Sequence, residues 1–106
     1  MAVKVLGQQA PAATTNTDLY TVPSAKSAVC STLVVANRDT VAITYRIAVR
    51  PAGASIASQH YIAYGISIPA GGSDFITAGL TLAATDVVTV YASTANVSFS
   101  LFGDES

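Results

Sequence analysis

The chain has 106 residues, 51% of them apolar and only 10% Asp, Glu, Lys or Arg, against roughly 25% charged in an ordinary soluble domain. A formal net charge of −1 argues against the clustered Lys and Arg of a nucleic-acid-binding surface, and a single cysteine, Cys30, excludes an internal disulfide. Ala, Thr, Ser and Val stand where charges normally do, so either other chains cover much of the surface or solubility rests on small hydroxyl side chains.

From the N-terminus, Met1-Ala2-Val3-Lys4-Val5-Leu6-Gly7 has no apolar core of signal-peptide length. Nowhere does a run reach the roughly 18 apolar residues of a membrane-spanning helix, so synthesis and folding in a cytoplasm are expected, with no membrane partner. Val3–Leu6 has the pattern of a short strand, and Gln8–Asn16 behind it has no packing pattern. Residues 1–16 therefore read as an N-terminal arm and linker, and 17–106 as the folded domain. Such an arm either folds back onto its own sheet edge or adds a strand to a neighbour's edge.

Beyond the arm, period-two alternation dominates and helical periodicity is nearly absent. Thr17–Val22 is a strand closed by Pro23. Ser27–Asn37 is apolar on both faces, as in a central strand covered on both sides, and Asn37-Arg38-Asp39 reads as a tight hairpin. Thr40–Arg50 places Val41, Ile43, Tyr45, Ile47 and Val49 on one face, and Pro51 ends it. Gln59–Ile68 places Ile62, Tyr64, Ile66 and Ile68 together, with Tyr61 opposite, and stops at the turn Pro69-Ala70-Gly71-Gly72. Ser73–Ala78, Val87–Ser93 and Asn96–Phe102 complete the set, and Asp104-Glu105-Ser106 reads as a solvated acidic tail. About seven or eight short strands predict an all-β fold, an antiparallel two-sheet β-sandwich, Ig-like or jelly-roll-like, with an extended N-terminal arm.

No catalytic set is present. His60 is the only histidine, and no motif supplies it with a nucleophile, an orienting carboxylate or fellow metal ligands. Asp18, Asp39, Asp74, Asp86 and Asp104 are scattered over strand edges and turns, where Asp bonds nearby backbone. Cys30 lies in an apolar stretch and reads as a buried thiol. Gly71-Gly72-Ser73 precedes a strand, not the helix that a phosphate cradle needs. No catalytic residue, metal ligand or cofactor is assigned.

The candidates that remain are contact residues. Arg46 and Arg50 share the polar face of one strand and form a small positive strip suited to carboxylates of a neighbouring subunit. Of the five tyrosines, Tyr45 and Tyr64 fall on apolar faces and read as core, while Tyr61 is the surface candidate. With Val3, Val5 and Leu6 of the arm, these make the candidate interface set Val3, Val5, Leu6, Arg46, Arg50 and Tyr61.

Several phrases carry a resemblance as a set: Leu19-Tyr20-Thr21-Val22-Pro23 with Lys26, Leu33-Val34-Val35-Ala36-Asn37-Arg38, Arg46-Ile47-Ala48-Val49, Leu80-Thr81-Leu82-Ala83-Ala84-Thr85-Asp86-Val87-Val88 and Ala95-Asn96-Val97-Ser98-Phe99. Together they resemble small all-β virion proteins of tailed bacteriophages, from about Leu19 to Gly103. The resemblance implies a non-enzymatic capsid decoration or cement protein located in the virion. Such a protein forms a homo-oligomer, such as a trimer, and contacts the major capsid protein or other virion proteins. A tail, collar, baseplate or fibre position is the alternative within that class, and a glycan- or receptor-binding module is the alternative outside it.

Overall fold

The computed structural model describes residues 2–77 and 79–106. The strands, in chain order, are β1 (Ala2–Gln9), β2 (Thr17–Thr21), β3 (Ala28–Asn37), β4 (Ile43–Arg50), β5 (Tyr61–Ile68), β6 (Ser73–Ile76), β7 (Leu80–Leu82), β8 (Val87–Ala92) and β9 (Val97–Glu105). They form two antiparallel sheets. The first, sheet A, runs β1-β9-β3-β6, with β7 beside β6 on the same neighbour, β3; the second, sheet B, runs β2-β8-β4-β5. The protein is an all-β sandwich.

The pairing order fixes its kind. With β6 and β7 counted as one interrupted strand, the chain pairs first with last, then inward: β1 with β9, β2 with β8, β3 with β6 and β7, and β4 with β5. This is one long antiparallel hairpin rolled until β9 meets β3 and β8 meets β4. Such nesting is a jelly roll, so of the two sandwich types the sequence allows, the Ig-like one is set aside.

Alternation explains the core. Ile43, Tyr45 and Ile47 of β4 face Val97, Phe99 and Leu101 of β9 across the sandwich, and Val88, Val90 and Ala92 of β8 join them. The Tyr45 and Phe99 rings meet edge to face at 6.3 Å and tie the two sheets together. Each large side chain buried there adds about 1.5–3 kcal/mol relative to exposure. Bulges let residues at odd spacing share the core. Ser31 drops out of register between Cys30 and Thr32, so Cys30 and Leu33 both point inward.

Several expectations need correction. Asn37-Arg38-Asp39 is not a hairpin turn, because β3 and β4 lie in different sheets. The chain arches between them around the buried Asn37, whose Nδ2 donates to the carbonyls of Val41, Ile68 and Pro69 at 2.9, 3.1 and 3.1 Å. A buried amide with several backbone partners fastens two connections at once. Val41, expected on the core face, precedes β4 and is exposed. Ser27–Asn37 is a central strand, yet its chain covers only one of its faces, and Val29 stays half exposed. The strand expected to end at Ala78 ends at Ile76, and Ala78 lies outside the described residues. The segment Leu80–Leu82, not expected as a strand, pairs with Ala28–Cys30.

Both termini are part of the sandwich. The arm forms β1, paired with β9 from Ala2 to Gln9 on the chain's own edge. The C-terminal residues expected as a solvated tail extend β9. Glu105 accepts a hydrogen bond from Tyr20 Oη at 2.6 Å and an ion pair from Lys4 at 3.1 Å, while Ser106 and Ser27 exchange backbone hydrogen bonds.

Candidate functional site

The outer face of sheet B carries a built cluster. Register places Arg46 of β4 opposite Tyr64 of β5 on one side and Tyr91 of β8 on the other. The guanidinium carbon lies 4.3 Å from the Tyr64 ring centre and 4.1 Å from that of Tyr91, so the cation lies over both aromatic rings. Tyr61 stands against Tyr64 edge to face at 4.9 Å. Among the described residues, no acceptor is hydrogen-bonded or ion-paired to Arg46. Its five N–H donors therefore have no partner among the described residues and can serve an external one.

This grouping depends on two bulges in β5. Strict alternation would put Tyr61 and Tyr64 on opposite faces, as the sequence suggests. Instead Ile62 falls out of register between Tyr61 and Ala63, and Gly65 between Tyr64 and Ile66. The first extra residue brings both tyrosines to one face. The second sits at φ +70°, where glycine alone is unstrained. Tyr64, expected in the core, is 59% exposed. Ile62 turns instead toward Cys30, Leu33, Ile76 and Leu80, at a narrow apolar gap between the edges of the two sheets.

Arg50 is engaged differently. Its Nε donates to Thr89 at 3.0 Å, its Nη1 to the Gly53 and Ala54 carbonyls, and its Nη2 to Asp18 at 2.8 Å. The fork is occupied within the chain and clasps the turn after β4 to β8 and β2. The two arginines share a face, as their spacing implies, but Arg50 spends four of its five N–H donors within the chain, whereas Arg46 has no acceptor among the described residues.

The remaining candidates separate by sheet. Val3 and Val5 lie on the outer face of sheet A, 80% and 48% exposed, while the bulge at Leu6 turns that side chain against the core. Across the same face, Val29 and Phe75 are also exposed, Phe75 at 71%, and Val34 and Phe102 are half-buried. The charged groups over it are Asp104 and, at the far end, Arg38 held to Ser98 by a 2.7 Å hydrogen bond. Lys4 turns the other way, to Glu105.

The other titratable groups serve structure. Tyr45 Oη donates to Asp74 at 2.9 Å, and burial first, then that carboxylate, raises the phenol's pKa. Tyr20 is raised in the same way, by burial and then by Glu105. Asp86 accepts from the backbone N–H of Ala52 and of Ala83. Asp39 accepts from the Thr40 N–H and from Asn96, contacts that lower its pKa. His60 ends a short 3-10 turn, where its Nδ1 accepts from the Ala57 N–H at 3.1 Å. Burial pushes the Cys30 thiol up to about 11, so it is not a nucleophile at neutral pH. Among the described residues, no group of three His, Cys, Asp or Glu is placed to hold a metal ion.

Sequence reasoning picked out Arg46 and Tyr61 but missed Tyr64 and Tyr91. The available signal was Gly65, since a glycine inside a strand pattern marks a bulge and warns that alternation stops there. Comparison with protein families, curated proteins and solved structures finds no match to this chain.

Proposed function

We propose that the protein is a non-enzymatic structural component of a tailed-bacteriophage particle, a capsid decoration or cement protein whose copies self-associate and bridge capsid subunits. The observation that carries this reading is the outer face of sheet A. Val3, Val5, Val29 and Phe75 are exposed across its strands on a face almost without charge. Exposed apolar patches of this kind mark interaction surfaces. A face with so few charges is well suited to pack against another copy, because little has to be desolvated unpaired.

The topology supports the same reading by analogy, since jelly rolls recur in viral capsid proteins and also in lectins. The chemistry supports a passive role. The carboxylates and the histidine are tied into turns and sheet edges, and the one thiol is buried and protonated. Function then rests on area and copy number, with each added copy contributing contacts that hold neighbouring subunits together.

The test is the number of copies per purified particle, by quantitative mass spectrometry. Hundreds of copies are expected for a shell protein. A dozen or fewer would move the protein to the tail, and none would remove it from the virion.

A further inference from the structure

We infer that the Arg46 cluster is a docking point for an Asp or Glu side chain of a different protein, separate from the face through which copies of this chain associate. Three observations lead there. The guanidinium is held between Tyr64 and Tyr91 at 4.3 and 4.1 Å, so its orientation is set before any partner arrives. Its donors have no acceptor among the described residues. A guanidinium fork held over two rings with its donors unpartnered matches a planar carboxylate, which accepts two parallel N–H bonds.

The source of that carboxylate follows from the chain's own acids. All six are engaged. Asp18 holds Arg50, Asp74 accepts from Tyr45, and Glu105 holds Lys4 and accepts from Tyr20. Asp39 and Asp86 accept from backbone N–H groups, and Asp104 has an interaction of its own within the chain. A second copy could therefore offer Arg46 only acids that already hold a partner, Asp18 and Asp74 with one oxygen each engaged, and the two parallel N–H bonds of the fork fit better an uncommitted carboxylate of another protein.

An acidic sugar would offer the same carboxylate. A sugar ring, however, binds aromatic residues by lying on their faces, and the guanidinium already occupies one face of both Tyr64 and Tyr91. What stays open is a rim of tyrosine around an arginine, the composition of a protein-interface hot spot.

The experiment follows the arginine Nε–H signals of 15N-labelled full-length protein during titration with N-acetyl tetraglutamate amide and, separately, with trigalacturonate. The Arg46 signal should shift saturably with the peptide. Arg46→Lys keeps the charge but loses the fork, and should weaken peptide binding at least tenfold, whereas Arg38→Lys should leave it unchanged. Tyr91→Leu, which removes one wall without touching the cation, should weaken it severalfold. Circular dichroism confirms that each variant is folded. Peptide binding unchanged in Arg46→Lys would overturn the inference, and so would tighter binding of trigalacturonate than of the peptide at Arg46. Sedimentation of the same samples reports self-association independently. A monomeric wild type would count against the proposed function and leave the arginine result to stand or fall alone.

Discussion

The two outer faces of the sandwich are made from the same kind of strand and differ in nearly every chemical respect. On sheet A, Val3, Val5, Val29 and Phe75 stand exposed among serines and threonines. On sheet B, cross-strand register aligns Tyr64, Arg46 and Tyr91 in one row, with Tyr61 packed on its end. One face offers apolar area without a geometric demand, and the other offers a single oriented cation. The difference is one of placement and not of number: Lys4, Asp74 and Glu105 of sheet A engage partners away from its outer face, whereas Arg46 of sheet B stands on its outer face beside the Asp18–Arg50 ion pair.

The largest expected effect separates the faces by removing an edge of one. A methyl group at Gly7 would meet the Leu19 carbonyl oxygen of β2, which is backbone and cannot yield easily. Gly7→Ala should cost about 1–3 kcal/mol by overpacking and loosen β1, taking Val3 and Val5 off the face of sheet A. Hydrogen exchange should show lost protection in β1 and retained protection in β4 and β8. A smaller effect is expected on the other sheet. Arg50→Met removes a half-buried ion pair with Asp18 and three further hydrogen bonds. Urea unfolding should show a loss of about 1–2 kcal/mol, with peptide binding at Arg46 unaltered.

The smallest effect concerns acid. The Glu105 pKa is lowered chiefly by the Tyr20 hydroxyl and then by Lys4. Because the folded-state value is depressed, the unfolded chain binds the proton more readily. The stabilisation is complete above the ordinary glutamate pKa of about 4.3 and is lost as pH falls through the folded value. Urea midpoints should therefore decline more steeply between pH 5 and pH 2 in the wild type than in Glu105→Gln. The Arg46 row has no carboxylate in it, and its ring contacts should persist over that range.

Much of this architecture is legible in the sequence, because alternation is a direct record of which side chains face the core. Ile43, Tyr45 and Ile47, and likewise Val97, Phe99 and Leu101, lie where their spacing puts them. What escapes is whatever breaks or lies beyond the period. The bulges at Ile62 and Gly65 bring Tyr61 and Tyr64 together against parity, and Leu80-Thr81-Leu82 is too short to stand out as a strand. Asn37 looks like a turn residue, and only the partners of its amide show that the chain arches between sheets there. For the candidate site, the composition of Arg46 and Tyr61 is readable, but the absence of an acceptor for Arg46 among the described residues and the engagement of Arg50 are tertiary facts.

The central claim is that the two faces do different work, and sedimentation equilibrium on three proteins tests it most directly. Wild type should self-associate, Val29→Asp/Phe75→Asp should do so at least tenfold more weakly, and Arg46→Lys should behave as wild type. A monomeric wild type, or self-association that depends on Arg46 and ignores Val29 and Phe75, would contradict the account.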